Sequence, residues 1–443
     1  MSAVLSPEES VSIPELEHVR RAPTALRTIR LGILGLGQVG QAVARLVPEA
    51  TRLQRAGFRF RVVGALVRDL DRPRPCIQPS RLATHPSAFL RNTYDVVIEA
   101  LPTIEPARTL VARLLGRGVP VVSANKALVA AHGRELIALA ARRGTSFRYE
   151  ASALAGVPFL GALAARPLVS DIEHFTAIVN GTSNFILSKL EHEGWSFEEA
   201  LADAQRLGLT EPDPSRDLDG LDAADKVSLL ATLFGWGSLS ADVIDVQGIR
   251  EITARDLEAA ASLDATVKPI VFAARDATVE AFIGPALLPT RHPLAGLSGT
   301  LSGIQLSGRY VRDLFFSGPG AGPEVTAATL LDDAVEALRF SGAAAGAAGA
   351  SGAAGAAGTF DQARIESPTT QWFLRLRFPG VVPHTTALAA IVRSQGLEAT
   401  RVTDAIGDAR WLRLKPATRA DINRAISVIA RTHRIRGYAI RAI

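Results

Sequence analysis

The stretch that decides the fold runs from residue 30 to residue 46 and reads RLGILGLGQVGQAVARL. Residues 30–34 form a mostly apolar run typical of a buried strand, and residues 41–46 show a helical pattern. Between them lies GLGQVG at residues 35–40, a GxGxxG motif that follows a strand and opens a helix. In that context the first glycine permits a tight turn, the second admits a pyrophosphate, and the third lets the helix pack closely on the strand. The motif predicts a dinucleotide site at a helix N-terminus.

Strands and helices alternate after the glycine motif. The pattern predicts strands at residues 60–67, 95–99 and 120–123, with helices at residues 105–115 and up to residue 142. Such alternation implies a parallel sheet with helices on both faces. We therefore predict an α/β fold with a Rossmann-type doubly wound sheet. This NAD(P)-binding domain should span residues 28–149, after an N-terminal extension of residues 1–27.

The choice of cofactor should be decided just past the second strand, at Val67-Arg68-Asp69. An acid there favours NAD because it holds the ribose 2′-hydroxyl, whereas an arginine accommodates the 2′-phosphate of NADP. Arg68 comes first and Arg72 is near, so we expect NADP as the preferred cofactor, with NAD as the alternative. The interpretation of Arg68 and Asp69 as solvated turn residues stays open.

A second domain of a different type is predicted over residues 150–317. Its helix at residues 197–207 is well marked, with Ser196 and Glu199 as a capping box and Gly208 as the stop. The strands between residues 266 and 288 have no helix between them, which predicts a mixed or antiparallel sheet with helices on one side. We expect a domain of the α+β class.

The C-terminal part starts with an almost pure glycine and alanine stretch at residues 341–358. Glycine at every third or fourth position removes most of the helix preference of alanine, so residues 341–368 are predicted to form a flexible linker. After it, residues 369–443 alternate as strand, helix, strand, strand, helix, strand. This βαββαβ order is the ferredoxin-like plan, and we expect the tail to be a small unit on a tether.

Composition argues against several classes of protein. Apolar residues make up 47% and charged residues 21% of the 443 residues, which is ordinary for a folded protein. The net charge of +5 is spread along the chain without a cationic run, so we predict no nucleic-acid partner. A single cysteine, Cys76, gives no disulfide framework, and no stretch predicts a membrane span or a secretory signal. The expected location is the cytoplasm.

Acids, prolines and a lysine gather in the second domain between residues 180 and 226. The segment holds NGTSN at residues 180–184, GLTEPDP at residues 208–214 and DGLDAADK at residues 219–226. Asp222 and Lys226 are four residues apart and so lie on one face of a helix, with Glu211 on a proline-stiffened loop. Two carboxylates can hold an ammonium group, and a lysine can move a proton. A surface ion pair between Asp222 and Lys226 is the alternative.

Together these motifs resemble the homoserine dehydrogenase family over residues 28–340. The resemblance rests on the glycine motif, on SANK at residues 123–126, on the loop at residues 150–158, on residues 180–184 and on residues 204–226. The last block matches the family signature, in which acids, prolines and lysine fall at fixed spacing. The tail resembles a degenerate ACT domain, because its turn at residues 377–380 reads RFPG and lacks the acid usual in that fold.

This resemblance implies roles for residues in the catalytic, substrate, cofactor and cation sites. Lys226 is the implied catalytic proton donor or acceptor, with Lys126 as second candidate, and Glu211 and Asp222 are the implied substrate ligands. The expected cofactor contacts are Gly35, Leu36, Gly37, Gln38, Val39, Gly40, Arg68, Ser123, Lys126, Gly208, Gly320 and Gly322. A monovalent cation, Na⁺ or K⁺, is implied at the carboxylate and main-chain oxygens of Glu150, Ala153, Ala155 and Val157.

The implied activity is the NAD(P)-dependent interconversion of L-homoserine and L-aspartate 4-semialdehyde in threonine, methionine and isoleucine biosynthesis. The implied assembly is a homodimer or homotetramer, with residues 150–317 as the catalytic and dimerisation domain. A glycine loop at residues 318–322 and a helix at residues 324–338 are expected to return to the first domain, so that residues 318–340 complete it.

Two other functions fit parts of the sequence. An aspartate-semialdehyde dehydrogenase also has a Rossmann domain, but it needs a nucleophilic cysteine, and Cys76 lies in a proline-rich loop without a basic setting. A catalytically inactive sensor of nucleotide and amino acid would use the ACT-like tail as its reporter. The presence together of Lys126, Glu211, Asp222 and Lys226 argues against a sensor, because a binding module has no need of proton-transfer lysines.

Overall fold

Two β-sheets organise the described part of the chain, a parallel sheet of six strands and a mixed sheet of ten. The structure is a computed structural model, and it describes residues 26–164, 166, 169–237, 239, 244–276, 279–340, 370–433 and 435–443. The linker predicted at residues 341–368 lies outside the described residues, as do residues 1–25 of the predicted N-terminal extension.

The first sheet is parallel throughout, with strand order β3-β2-β1-β4-β5-β6. Its strands are β1 (Arg27–Leu34), β2 (Phe58–Leu66), β3 (Leu82–Ala83), β4 (Val96–Glu99), β5 (Val121–Ser123) and β6 (Phe147–Arg148). The helices among them are α1 (Gln38–Glu49), α2 (Thr51–Arg55), α3 (Pro86–Phe89), α4 (Ile104–Gly116) and α5 (Lys126–Arg142). This order is that of the Rossmann fold, so the predicted doubly wound sheet is confirmed.

The second sheet contains the long antiparallel pair predicted between residues 266 and 288. Its strands in the second domain are β7 (Ile172–Ile178), β8 (Asp245–Val246), β9 (Ala265–Arg275), β10 (Val279–Pro289), β11 (Leu301–Gly308) and β12 (Leu314–Pro319). The helices are α6 (Leu160–Ala164), α7 (Gly181–Glu193), α8 (Phe197–Arg206), α9 (Ser215–Leu218), α10 (Leu221–Leu233) and α11 (Ala254–Ala261). The capping box of Ser196 and Glu199 at the start of α8 is confirmed.

The chain then returns to the first domain through α12 (Pro323–Phe340). This helix packs against α1, β4 and β5. Its residues Leu330 and Ala334 share one apolar core with Ile29 and Leu31 of β1. Neither α12 nor any other helix in the described ranges has the length and apolar character needed to cross a membrane.

The tail has the predicted βαββαβ order. Its elements are β13 (Thr370–Arg377), α13 (Thr385–Arg393), β14 (Ala399–Val402), β15 (Ala409–Ala417), α14 (Arg419–His433) and β16 (Arg436–Ala442). The four strands lie in the order β16-β13-β15-β14, and each neighbouring pair is antiparallel. That arrangement is the ferredoxin-like plan expected from the sequence.

The expectation of a tail on a tether is corrected, because the tail is joined to the second domain by a common sheet. Strand β16 pairs in parallel with β10 at its last two residues. At this junction Asp256 is buried, forms an ion pair with Arg375 and accepts the indole N–H of Trp411 at 2.7 Å. Glycine content predicts the character of a linker, but it carries no information on what the segment beyond it packs against.

Candidate active site

The carboxyl ends of β1, β4 and β5 meet at one edge of the first sheet, where residues 35–40 form the turn between β1 and α1. We call these residues the glycine turn. At Gly35 φ is +93°, a left-handed conformation that residues with a Cβ atom disfavour. A Cβ atom at Gly40 would collide with the carbonyl oxygen of Gly35. Two of the three glycines are therefore required by the fold itself.

Gly37, in contrast, faces open space. A Cβ atom there would have no heavy atom of the described chain within 4 Å, apart from its immediate neighbours. Gly37 is the N-cap of α1, and no side chain caps the helix there. Because the first N–H groups of a helix lack intrahelical partners, this turn fits a pyrophosphate. Leu36 is buried beneath the turn, whereas Gln38 is exposed and Val39 is half-buried.

Arg68 lies two residues past the end of β2 and is exposed. Among the described residues its guanidinium group makes no hydrogen bond or ion pair. The neighbouring Asp69 is used within its own turn: its carboxylate accepts the N–H of Asp71 at 2.8 Å, and its carbonyl oxygen accepts Arg74 at 2.7 Å. Of the two residues predicted to determine the choice between NAD and NADP, Arg68 and Asp69, it is Arg68 whose side chain is available to bind a phosphate.

Acidic and basic side chains from both domains meet at Asp222. Its Oδ1 accepts Nζ of Lys126 at 2.7 Å, and its Oδ2 accepts Nζ of Lys226 at 2.9 Å. Asn180 donates to the same Oδ2 at 3.1 Å. Lys126 is the first residue of α5 in the first domain, while Asp222 and Lys226 lie on α10 in the second. We call Asp222, Lys126, Lys226, Asn180 and Asp217 the Asp222 cluster.

Lys226 is the buried amine of this cluster. Its Nζ also donates to the carbonyl oxygen of Val179, next to the end of β7, at 2.5 Å. Burial lowers the pKa of Lys226; the charge of Asp222 opposes the shift and the charge of Lys126 adds to it. A lysine with a lowered pKa exchanges its proton more readily near neutral pH, and this is what proton transfer requires.

Asp222 stays ionised between the two lysines. Burial disfavours its charged form, but the ammonium groups of Lys226 and Lys126 outweigh burial and hold the pKa of Asp222 well below its ordinary value. The carboxylate therefore remains negative over the pH range in which Lys226 can lose its proton.

Asn180 and Asp217 belong to the site although the sequence analysis assigned them no role. Asn180 follows β7 and caps α7, with its Oδ1 accepting the N–H of Ser183 at 2.8 Å. Its amide group donates to Asp217 at 2.8 Å in addition to Asp222. Asp217 also accepts the hydroxyl of Thr210 at 3.1 Å. A polar cap directly after a buried strand is the signal that could have identified Asn180.

Glu211 and Gly208 lie on the loop between α8 and α9. Gly208, with φ of +69°, follows the last turn of α8 and is exposed. Glu211 is also exposed, and its carboxylate makes no hydrogen bond or ion pair within the part of the chain that is described. The structure thus brings Lys126, Asp222 and Lys226 together and leaves Glu211 and Gly208 on the surface.

Ser123, an expected cofactor contact, is fully buried. Its hydroxyl donates to Oε2 of Glu99 at 2.5 Å. Burial raises the pKa of Glu99 to about 7, against the opposing effect of the hydrogen bonds from Ser123 and the N–H of Leu101. Since the Ser123 hydroxyl is bonded to Glu99 and the whole residue is buried, its contact with a cofactor stays a prediction. Glu99 was missed, although its place at the carboxyl end of a buried parallel strand marks it.

In the expected cation loop, three of the four expected ligand residues already accept hydrogen bonds from the protein. The Glu150 carboxylate accepts the main-chain N–H groups of residues 159–161 at 2.6–2.9 Å. The carbonyl oxygens of Ala155 and Val157 accept the Thr329 hydroxyl and a main-chain N–H group. Oε2 of Glu150 and these two carbonyl oxygens each keep a second lone pair, so the expected cation site stays a prediction. The described residues also hold no group of three His, Cys, Asp or Glu side chains suited to a metal ion.

The returning loop at residues 318–322 packs closely on the second sheet. A Cβ atom at Gly320 would collide with the hydroxyl of Ser302 on β11, which accounts for the glycine without a cofactor. Gly322 directly precedes α12 with φ of +134°. The expected contacts of Gly320 and Gly322 with a cofactor stay predictions.

Two family models match this chain. One, described as homoserine dehydrogenase, matches residues 158–335. The other, described as the NAD-binding domain of homoserine dehydrogenase, matches residues 35–150. The first match contains Asp222, Lys226 and Asn180, and the second contains the glycine turn and Lys126.

Individual relatives agree with the family models. A homoserine dehydrogenase of Corynebacterium glutamicum is 32% identical over 417 residues, which cover 90% of this chain and 92% of the relative. One of Bacillus subtilis is 34% identical over 319 residues, with 71% and 74% covered. These two alignments differ mainly in how much of the chain they span.

Solved structures give the same result. A crystal structure of a homoserine dehydrogenase from Thiobacillus denitrificans superposes with a TM-score of 0.81 at 29% identity, covering 95% of this chain and 99% of that one. A hyperthermophilic archaeal homoserine dehydrogenase in complex with NADPH superposes with a TM-score of 0.57 at 25% identity, covering 71% and 98%.

Proposed function

Because the chain belongs to the homoserine dehydrogenase family, it is an NAD(P)-dependent oxidoreductase, and we propose that Lys226 moves the proton in its interconversion of L-homoserine and L-aspartate 4-semialdehyde. One observation carries this assignment: a buried amine with a lowered pKa lies at the boundary of the two domains and shares a carboxylate with a second lysine. The bound cofactor supplies the hydride acceptor for oxidation of the alcohol and the hydride donor for the reverse reaction.

The protein's own part in the reaction is to move one proton and to orient the amino acid. In the oxidative direction, the neutral amine of Lys226 takes the proton of the homoserine hydroxyl as the carbonyl group forms. In the reductive direction, the ammonium form returns it. Lys126, on the opposite oxygen of Asp222, adds positive charge that favours the neutral form of Lys226.

We assign the substrate's ammonium group to the acidic side of the Asp222 cluster. Asp222 keeps its negative charge, and Asp217 adds a second carboxylate held by Asn180. Glu211, exposed on the loop after α8, is the third acid, and its carboxylate can turn towards a bound amino acid without breaking a hydrogen bond among the described residues. With its ammonium group among these acids, homoserine would extend its hydroxyl end towards the lysines.

The glycine turn would hold the pyrophosphate of the cofactor at the uncapped N-terminus of α1. Arg68 would bind the 2′-phosphate, so NADP is the proposed cofactor. The support for this choice is the availability of the Arg68 guanidinium group and the engagement of Asp69 in its own turn. A cation at Glu150 has no step in this scheme.

Assembly and location are further parts of the proposal. We propose a homodimer or homotetramer in the cytoplasm, acting in the biosynthesis of threonine, methionine and isoleucine. Strand β12 lies at one end of the second sheet and exposes Phe315, and its neighbour β11 exposes Leu301. Apolar side chains at a sheet edge favour association with another chain. Sedimentation velocity would measure the mass directly.

The test of the function is the absorbance at 340 nm of the full chain with L-homoserine and NADP. The enzyme should produce a rise that stops when the reaction reaches equilibrium, and Lys226→Ala should give none while still binding NADPH. A sensor would bind both ligands, as calorimetry would show. The absorbance would then stay constant with the wild-type chain as well as with Lys226→Ala.

A further inference from the structure

The first domain contains a buried carboxyl group that the proton-transfer scheme does not use. Glu99 is the last residue of β4 and is 0% exposed. Its Oε2 accepts the hydroxyl of Ser123 at 2.5 Å, and its Oε1 accepts the N–H of Leu101 at 2.8 Å. The carboxyl group thus joins the carboxyl ends of β4 and β5, the edge at which the active site is built.

From Ser123 the hydrogen bonds continue to the start of α5. The Ser123 hydroxyl oxygen accepts the N–H of Asn125 at 3.0 Å. Asn125 is the N-cap of α5, with its Oδ1 accepting the N–H of Leu128 at 3.0 Å and its amide donating to the carbonyl oxygen of Thr103 at 2.9 Å. The connection from Glu99 therefore ends one residue before Lys126.

The position of the Lys126 amino group depends on the backbone at the start of α5. Lys126 is the first residue of α5, and its flexible side chain reaches across to α10, where the amino group contacts Asp222. A lysine side chain has many rotamers, so its amino group is well placed only if the main chain beneath it is fixed. The side chain of Lys126 is 41% exposed, and packing alone does not hold it.

We propose that Glu99 is a positioning residue, which fixes the start of α5 through Ser123 and Asn125 so that the amino group of Lys126 stays on Asp222. The proposal for Glu99 depends on the proposed function only in its expected effect on kcat. The placement of the amino group is a structural statement that can be measured without any catalysis.

The cost of this carboxyl group supports a specific role. All four residues of β4 are buried, and the other three are apolar. An apolar residue at position 99 would avoid the penalty of burying a carboxyl group, a penalty that is visible in the raised pKa of Glu99, about 7. Such a residue would also lose the link between the two strands and the helix cap.

Lysine acetylation read by mass spectrometry tests the proposal on the full chain. The chain has five lysines, so each gives its own signal, and Lys415 is 56% exposed and far from the site in sequence. An amine in an ion pair reacts more slowly than a free one. Glu99→Ala should therefore raise the acetylation rate of Lys126 relative to Lys415 about threefold or more.

Three variants complete the experiment. Glu99→Gln keeps the size of the side chain, with one oxygen that can accept the N–H of Leu101 and an amide that can donate to the Ser123 hydroxyl oxygen, and should leave the rate within about twofold of wild type. Ser123→Ala breaks the link at its second member and should raise the rate as Glu99→Ala does, which keeps the test valid if Glu99→Ala fails to fold. Tyr94→Phe is the matched control, because it removes a buried hydrogen bond to Phe89 just before the other end of β4.

The proposal is overturned if Lys126 reacts at the wild-type rate in Glu99→Ala or Ser123→Ala, or if Tyr94→Phe raises the rate equally. Turnover is the second readout: Glu99→Ala should lower kcat about tenfold while the KM for the cofactor changes little. Faster acetylation with unchanged kcat would leave the positioning role intact and refute the part of the proposed function that uses Lys126.

Discussion

The glycine turn and the Asp222 cluster are built in opposite ways. The glycine turn comes from six consecutive residues, and its two constrained glycines are required by contacts within the first sheet. The Asp222 cluster comes from α5, from the end of β7 and from α9 and α10, which are separated by up to about 100 residues of sequence. The turn is a backbone site, and the cluster is a side-chain site.

This difference determines how each region responds to mutation. A backbone site depends mainly on where a Cβ atom can be added, whereas a cluster of ionised side chains depends on each partner's charge and on the elements that hold it. Substitutions in the two regions should therefore separate cofactor binding from proton transfer.

The largest effect should come from Lys226→Arg. The substitution keeps a positive charge next to Asp222 but replaces a group that can lose its proton with one that cannot. We expect kcat to fall about a thousandfold, while NADPH binding at the glycine turn is unchanged. Absorbance at 340 nm gives kcat, and fluorescence titration gives the NADPH affinity. Turnover near that of the wild type would refute the role of Lys226 and make Lys126 the candidate for proton transfer.

Deleting the tail tests how far the Asp222 cluster depends on distant structure. A chain ending at Phe340 would open the edge of β10 and leave Asp256 without Arg375 and Trp411. We expect the unfolding temperature to fall by about 10 °C or more, or the protein to become insoluble. Trp411→Phe, which removes one hydrogen bond to Asp256, is the milder companion variant. A soluble truncated chain with wild-type stability and activity would show that the tail contributes nothing to the core.

Gly40→Ala and Gly37→Ala form a matched pair within the glycine turn. A Cβ atom at Gly40 collides with the backbone of Gly35, so this variant should lose about 3 kcal/mol of unfolding free energy. A Cβ atom at Gly37 meets only open space, so Gly37→Ala should unfold like the wild type and bind NADPH more weakly. Thermal unfolding and fluorescence titration measure the two effects. Equal NADPH affinity in Gly37→Ala and wild type would show that the pyrophosphate does not bind at this turn.

Arg68→Ala tests the selection of the cofactor. Loss of a charge-assisted contact with the 2′-phosphate is worth about 1.5–3 kcal/mol, so the KM for NADP should rise roughly ten- to a hundredfold. The KM for NAD, which has no such phosphate, should change little. If both constants rise equally, Arg68 does not select the cofactor.

The smallest effect is a displacement of the pH profile. For homoserine oxidation, kcat should rise with pH as Lys226 loses its proton, with a midpoint below the ordinary pKa of a lysine. Asp222 raises the pKa of Lys226, so Asp222→Asn should move that midpoint to lower pH in addition to weakening homoserine binding. Arg68→Ala is the control, and its midpoint should match the wild type. A midpoint that stays in place in Asp222→Asn would show that another group titrates.

The sequence was sufficient wherever an interaction is local. The alternation of strands and helices in the first domain, the capping box of α8 and the pairing of Asp222 with Lys226 all depend on patterns a few residues long, and the structure agrees with each. Glu99 and Asn180 could have been identified by their positions at the end of a buried strand and just after one. The bonds from Asn180 to Asp217 and from Glu99 to Ser123 could not, because each joins residues more than 20 positions apart.

The docking of the tail shows the same limit on a larger scale. A glycine-rich stretch predicts a linker from its own conformational entropy, but the pairing of β16 with β10 is a contact across about 150 residues of sequence. No local pattern distinguishes a strand that closes its own sheet from one that also extends a neighbouring sheet.

By itself, the sequence determined the two kinds of domain, the dinucleotide turn, the helix face that carries an acid and a lysine, and the family. Only the tertiary structure decided that Lys126 contacts Asp222, that the Ser123 hydroxyl is bonded to Glu99, that the Glu150 carboxylate accepts main-chain N–H groups and that the tail shares a sheet with the second domain. The physical reason is that periodicity, capping and glycine geometry act over a few residues. Ion pairing, burial and sheet continuation depend on where distant segments meet.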